Sequence, residues 1–419
     1  MITQLESDFK SLQRMIPHSE SKYATHYLHR YPAKFLPHFP RIFIKHFLSG
    51  NKNELILDPM CGSGTTLVES CLADKKCIGI EIDPTGHLIA QVATTPLNIN
   101  ITRKYATKLI SRIESGLKYN IHKRIPLPSE HEFPNASLWF RKDVLREIIF
   151  IKELLNNSKL NENCRNFFKL SLSSIIRDIS NADPRDIFPQ RDQSVLVRER
   201  KNVILEFKKS LDRNLIYVED FSRRLNGNHS CKVIHGDARQ TGLKGNSVDF
   251  VFTSPPYAYA MDYARINQLN TLILFMNNEE LKEHRKKYVG TDRVSDCFIN
   301  NNGDYAGFEF ARKAIEDVHN QNKRYGVCLY KYFSDMHKIT KEIYRVLKPD
   351  SYLVYVVGNS TINRTKFYTD EVFKGMCKNV GFEIKLTLER KYYAYRLTRK
   401  RNAHSNTIKK DVFIVAKKN

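Results

Sequence analysis

Three short runs of the chain combine residue types that can hold or act on a ligand. The first is Asp58-Pro59-Met60-Cys61-Gly62-Ser63-Gly64-Thr65-Thr66. Its glycines, Gly62 and Gly64, let the backbone approach a ligand closely, and the Thr65 and Thr66 hydroxyls stand at a helix start, a combination that suits a carboxylate or a phosphate. It is not a P-loop, because the Gly-Lys-Ser/Thr ending is missing, nor GxGxxG, because Leu67 stands where the third glycine would be. Glu81 closes the next apolar run, where a carboxylate can accept both hydroxyls of a ribose. The second run is Thr253-Ser254-Pro255-Pro256-Tyr257. Two prolines make a rigid loop whose carbonyls can accept, having no N–H of their own. The Ser254 hydroxyl and the Pro255 carbonyl can together bond the two hydrogens of an aromatic amine, and Tyr257 offers a ring to stack on a base. The third run is His235-Gly236-Asp237-Ala238-Arg239. Asp237 is either an acceptor for the adenine amine of the same nucleoside or a solvated turn acid.

These residues need elements to position them. Leu55-Ile56-Leu57 and Cys77-Ile78-Gly79-Ile80 read as buried parallel strands, with a helix over Thr65–Ala73 between them and another from Pro84 to Ala93. Strand, glycine turn, helix, strand, acid, helix opens a doubly wound α/β sheet, in which ligands bind beyond the carboxyl ends of the strands. From about 101 to 230 the alternation stops, and Leu145–Leu155, Phe167–Ile179 and Val203–Leu211 carry apolar residues at helical spacing. Strands resume at Lys232–Ile234 and Val248–Phe252. The stretch 258–325 is polar and rich in Asn and Tyr. An amphipathic helix over Tyr332–Leu347, a turn at Lys348-Pro349-Asp350 and a buried strand over Tyr352–Val357 follow. Phe382–Leu388 and Val412–Val415 read as the arms of a hairpin.

The chain has 419 residues, of which 41% are hydrophobic, enough for a real core and against global disorder. The start of the sequence lacks the apolar stretch of a signal peptide and no stretch is long and apolar enough to span a bilayer, so a cytoplasmic protein without a membrane partner is expected. Its net charge is +23. Such an excess fits a polyanionic partner, nucleic acid first of all, or a generally basic composition. Between Lys391 and Lys410 there are seven basic residues and no acid, which points to a footprint on phosphates made by Arg396, Arg399, Lys400 and Arg401. The eight cysteines form no CxxC pair and no Cys/His cluster with zinc spacing, so neither a disulfide framework nor a metal site is expected.

The three runs together resemble the amino-methylating DNA methyltransferases, which use S-adenosylmethionine to methylate exocyclic amines of bases. Thr-Ser-Pro-Pro-Tyr is the form typical of the cytosine-N4 branch found in bacterial restriction-modification enzymes. Adenine-N6 enzymes more often have Asp or Asn in place of Ser254. His29-Arg30-Tyr31-Pro32-Ala33-Lys34-Phe35 is similar to the family segment that folds over the methionine end of the cofactor. Ser173–Pro184 and Ala260-Met261-Asp262-Tyr263 are similar to segments that accompany it in some of these enzymes. The resemblance implies an α/β fold with a doubly wound, mostly parallel seven-stranded methyltransferase sheet and a large helical insertion. Residues 1–100 would form the cofactor-binding half, 101–230 the insertion, a candidate for DNA recognition, and 231–419 the catalytic half, with 258–325 variable and a basic C-terminal hairpin. It assigns S-adenosylmethionine to Lys34, Phe35, Asp58, Gly62, Ser63, Gly64, Thr65, Thr66, Glu81 and Asp237, and catalysis on a flipped base to Ser254, Pro255, Pro256 and Tyr257. DNA is the implied partner, together with a cognate restriction endonuclease. Methylation at cytosine carbon 5 is excluded, because it needs a cysteine nucleophile, usually in Pro-Cys, and that dipeptide is absent. Adenine-N6 methylation fits the same loop and stays open. So, further off, do RNA or protein-glutamine methylation and an inactive nucleic-acid-binding module. The insertion lies inside the cofactor-binding half, whereas family members more often place their variable region between the halves or after the catalytic motif.

Overall fold

The computed structural model describes residues 2–15, 22–32, 34–183, 186–190, 201–227, 230–258, 262–291, 305–362, 365–391 and 410–419. Helices α1 (Ile2–Met15) and α2 (His38–Phe47) precede β1 (Leu55–Asp58), α3 (Thr65–Leu72), β2 (Lys76–Glu81) and α4 (Pro84–Ala93). The insertion supplies α5 (Ile99–Lys118), α6 (Ala136–Trp139), α7 (Lys142–Asn156), α8 (Glu162–Ile176) and α9 (Val203–Arg224). Strands β3 (Cys231–His235) and β4 (Val248–Thr253) lead to α10 (Tyr263–Ile266), α11 (Gln268–Leu274), α12 (Asn278–Arg285), α13 (Arg312–Gln321) and α14 (Lys323–Val346). The chain finishes with β5 (Leu347–Gly358), the ribbon of β6 (Ser360–Ile362) and β7 (Thr365–Phe367), α15 (Thr369–Val380), β8 (Phe382–Lys391) and β9 (Lys410–Lys418).

Seven strands form one sheet in the order β3-β2-β1-β4-β5-β9-β8, parallel except for β9, which runs against both of its neighbours. The expected doubly wound, mostly parallel seven-stranded α/β sheet is therefore present. Its central strands are apolar on both faces, as parallel strands covered on two sides must be. Ile56, Phe250, Phe252, Val354, Val356, Phe413 and Val415 point into one core, while Leu57, Val251, Leu353, Tyr355, Val357 and Ile414 point into the other. The second core is closed by α13, α14 and α15. The first holds α2, α3 and α4 and also Phe167, Phe168, Leu172, Phe207 and Val218 of the insertion. The insertion is thus built into the same core as the sheet.

Asp83 caps α4 by accepting from the Gly86 amide at 2.8 Å, and Pro84 occupies the first turn. The expected turn at Lys348–Asp350 is instead a bulge inside β5. Val248 pairs with Leu347 and Phe250 with Tyr352, so the intervening residues of β5 have fewer partners than positions, and Asp350 takes φ +64°. Pro349 cannot donate to a ladder, and the bulge spares it the need. Helices α9 and α14 extend well beyond Val203–Leu211 and Tyr332–Leu347. The strands β8 and β9 pair antiparallel as the expected hairpin, while its basic connection, with Arg396, Arg399, Lys400 and Arg401, lies outside the described residues. Among the described residues no helix is long and apolar enough to cross a membrane.

Candidate active site

The strand order reverses between β1 and β4, and the crevice beyond their carboxyl ends is where an open α/β sheet binds ligands. A cavity of about 910 Å³, the open solvent at its mouth included, lies there. Four adjacent strands feed it. Gly62, Ser63 and Thr65 follow β1, Glu81 ends β2, Asp237 follows β3, and Ser254, Pro255, Pro256 and Tyr257 follow β4. Lys34 and Phe35 line it from the segment before α2. The remaining sequence-assigned residues, Asp58, Gly64 and Thr66, sit beneath the loop and do not line the wall.

The reason is local geometry. Gly62 and Gly64 take φ +52° and +80°, conformations in which L side chains are strained, so the loop turns back on itself and α3 starts at Thr65. A Cβ on Gly62 would meet the Tyr31 ring at 3.0 Å, and one on Gly64 the Ala90 Cα at 3.1 Å. Gly62 donates its amide to Glu81 Oε2 at 2.7 Å, and Asp83 donates to Oε1 at 2.8 Å. Burial and the Asp83 charge nevertheless push the Glu81 carboxyl up to about 8. Asp58 supports the loop from below: its carboxylate accepts from the Met60 amide at 3.3 Å, and burial pushes it up to about 6 against the Thr253 and Thr66 hydroxyls.

The Ser-Pro-Pro-Tyr loop is tied at three points. Ser254 donates its hydroxyl to the Val356 carbonyl at 3.1 Å, the Tyr332 hydroxyl donates to the Pro256 carbonyl at 2.8 Å, and Tyr257 reaches Asp411 at 3.4 Å. With its hydrogen committed to β5, the Ser254 oxygen has lone pairs left to accept. Asp237 is not a free turn acid. Arg239 holds both of its oxygens, at 2.6 to 3.0 Å, donates to the Lys287 carbonyl at 2.7 Å and pairs with Asp335 at 3.0 Å. Burial works against the Asp237 charge, but the Arg239 fork outweighs it and holds the carboxyl below its ordinary range.

Residues 22–32 and 34–36 form a strap across the cavity. Tyr31 stacks on Tyr263 with centroids 6.0 Å apart, and both rings line the cavity. Lys34 turns its ammonium to the strap's own carbonyls, 2.9 Å from His26 and 3.4 Å from His29, and burial lowers it to about 8. Glu69 on α3 anchors the strap, accepting from Tyr23 at 2.5 Å, His26 at 2.8 Å and Arg41 at 2.8 Å. The insertion holds the other side: Asp220 accepts from the Ala24 amide at 2.7 Å, and His29 meets the Ser173 hydroxyl at 3.1 Å. Tyr288 lines the cavity while donating to Asp83 at 2.8 Å, so part of the variable segment is also cavity wall. Sequence reasoning missed Glu69, Lys287, Tyr288, Tyr332 and Asp411. Tyr31 and Tyr263 at least lay in the quoted segments, but the others have no local signal, since each meets its partner across a large sequence separation.

Comparison with known proteins bears on this arrangement. Residues 9–92, from α1 to α4, match the family model described as DNA methylase. Over 389 residues the chain is 26% identical to the Type II methyltransferase M.MvaI of Kocuria varians, covering 86% of this chain and 84% of that protein. Over 385 residues it is 22% identical to the Type II methyltransferase M.BsoBI of Geobacillus stearothermophilus, covering 80% and 74%. A solved SAM-dependent methyltransferase of Methanosarcina mazei is 11% identical, covering 90% of this chain and 96% of that one at a TM-score of 0.31. The chain is thus similar to DNA methyltransferases, and these matches support an N4/N6 DNA methyltransferase family without separating its cytosine and adenine branches.

Proposed function

We propose that the protein transfers a methyl group from S-adenosylmethionine to the exocyclic N4 amine of cytosine in DNA. The observation that carries the reading is the meeting of two loops in one cavity: the glycine loop with Glu81 on one side, the Ser-Pro-Pro-Tyr loop on the other. The cradle fits the cofactor, since Gly62 leaves room beside Tyr31 that a Cβ would fill and the buried Glu81 can accept hydroxyl hydrogens. Gly62, Ser63, Thr65, Glu81 and Asp237 would hold the nucleoside, and the strap residues Lys34 and Phe35 the methionine end. When bound, S-adenosylmethionine supplies an electrophilic methyl group.

The residues of the chain do the rest. A cytosine amine is a poor nucleophile because its lone pair is delocalised into the ring. Ser254 Oγ, its own hydrogen given to Val356, accepts one amine hydrogen and the Pro255 carbonyl the other, which localises the lone pair, and the surplus amine proton leaves to solvent after transfer. Tyr332 and the two prolines keep the loop from yielding, so the acceptors stay where charge develops. A base paired in a duplex cannot reach this depth, so the target is flipped out, with Tyr257 as the stacking platform. The cytosine preference rests on Ser254 standing where the adenine-N6 branch more often has Asp or Asn. A cognate restriction endonuclease is proposed only from the resemblance of Thr253–Tyr257 to restriction-modification enzymes.

The test is mass spectrometry of nucleosides from DNA incubated with the protein and S-adenosylmethionine. N4-methylcytosine is expected, and its loss in Ser254→Ala with cofactor affinity retained. N6-methyladenine would move the chain to the other branch. No methylated nucleoside would end the proposal.

A further inference from the structure

Three cysteines from three different elements meet at the opposite end of the sheet from the cavity. Cys71 comes from the last turn of α3, Cys77 from the start of β2 and Cys231 from the start of β3, where Cys77 and Cys231 are register partners. Their sulfurs all lie within 4.8 Å of one another, and those of Cys71 and Cys77 are 3.8 Å apart. Among the described residues this is the one group of three such side chains with ligand spacing. Cys71 and Cys77 are 1% and 2% exposed, while Cys231 is half-buried.

We infer that Cys71, Cys77 and Cys231 form a binding site for one thiophilic d10 cation of the Zn2+ kind, held by three thiolates. The distances carry the inference. A zinc–sulfur bond is ~2.3 Å, so thiolates around one ion stand roughly 3.8–4.0 Å apart at tetrahedral or trigonal angles. The Cys71 and Cys77 sulfurs already stand 3.8 Å apart, and the Cys231 sulfur lies within 4.8 Å of both. A Cys71–Cys77 disulfide would instead require them to close by roughly 1.8 Å, from 3.8 Å to the ~2.05 Å of a covalent bond. An all-sulfur set without a carboxylate or imidazole selects soft cations and rejects Mg2+ and Ca2+. Binding exchanges three S–H bonds for three S–metal bonds, and the three protons leave to solvent.

The ion would tie α3 to β2 and β3, whose far ends carry Thr65, Glu81 and Asp237. It therefore braces the cavity from behind without touching it. The spacing 71, 77 and 231 matches no sequence motif for zinc, which is why a metal site was not expected from the sequence.

The full-length protein, purified under reducing conditions, is incubated with Zn2+, freed of excess by gel filtration and assayed for metal. One Zn2+ per chain is expected, with less than a tenth of that in Cys71→Ser and Cys231→Ser. Full retention is expected in Cys377→Ser, whose buried thiol lies on α15. Cd2+ in place of Zn2+ should give a thiolate-to-metal charge-transfer band. Should the serine variants not fold, the wild-type protein still decides: Zn2+ should slow iodoacetamide alkylation of Cys231 at least tenfold. No retained Zn2+ or Cd2+, retention unchanged in Cys71→Ser and Cys231→Ser, or an alkylation rate indifferent to Zn2+ would each overturn the inference. None of these readouts depends on methyl transfer, so they stand or fall apart from the function proposed above.

Discussion

Glu81 is asked to accept from two backbone amides and, on the proposed function, from a ribose as well, and it does so in a buried setting next to Asp83. Burial and that neighbour raise its carboxyl to about 8, above the ordinary value of ~4.3. A raised carboxyl has two opposite consequences. The stability it gives the empty protein is complete below the unfolded value and is lost as pH rises through about 8. Affinity for a hydroxyl donor moves the other way, because the ionised carboxylate is the better acceptor. S-adenosylmethionine should therefore bind about tenfold more tightly at pH 9 than at pH 7, one pKa unit of protonation below about 8 having been removed. Calorimetric titration at the two pH values checks this, with Glu81→Gln expected to bind weakly and with no such rise. A wild-type affinity flat across that range would mean that the carboxylate is not the acceptor.

At the scale of elements, the strap is the piece whose position depends on others. Its Tyr23 and His26 contacts, and that of Arg41 on α2, converge on Glu69, one turn into α3. Burial disfavours the Glu69 charge, but the His26, Arg41 and Tyr23 interactions outweigh it and hold the carboxyl below its ordinary range. Glu69→Ala would leave the Tyr23 hydroxyl and the His26 ring buried without their acceptor, at a cost of about 3 kcal/mol. Denaturant unfolding measures that loss, and hydrogen exchange over residues 22–36 should quicken while exchange in β5 does not. The same element shows what a sequence can disclose. His29–Phe35 was visible because a strap reads as a local string, and β1, β2, β4 and β5 because buried parallel strands are short apolar runs. Glu69 was not, since a glutamate in a short helix looks solvated until the fold brings three donors to it. The bulge at Lys348–Asp350 was misread for a similar reason: Lys-Pro-Asp has turn chemistry, and only the pairing of β4 shows that the strand runs on through it.

For the whole molecule, the helical insertion shares its core with the sheet, so it is not a module that could be exchanged without rebuilding the strap and α4. On the proposed function, the net charge of +23 serves the approach to DNA. Changing Arg396, Arg399, Lys400 and Arg401 together to alanine should weaken binding to all DNA sequences alike. It should also reduce the slope of log affinity against log salt by up to roughly 3.6, at ~0.9 per phosphate contact. Fluorescence anisotropy at several salt concentrations measures that slope, and an unchanged value would remove this run from the interface.

The strand order also bears on when the fold can be finished during synthesis. Strand β9 lies between β5 and β8, although it is made after both. Until residues 410–418 arrive, the long strand β5 presents an unpaired edge and β8 has nowhere to attach. Phe9, near the start of the chain, waits as well, because its ring packs on Phe413 of β9 at 5.0 Å, beside Phe39 and Phe43. Closure thus brings Phe9 to Phe413 across a long sequence separation, and such long-range closure is slow. In the interval the exposed edge of β5 is the surface that a chaperone, or another unfinished chain, meets first.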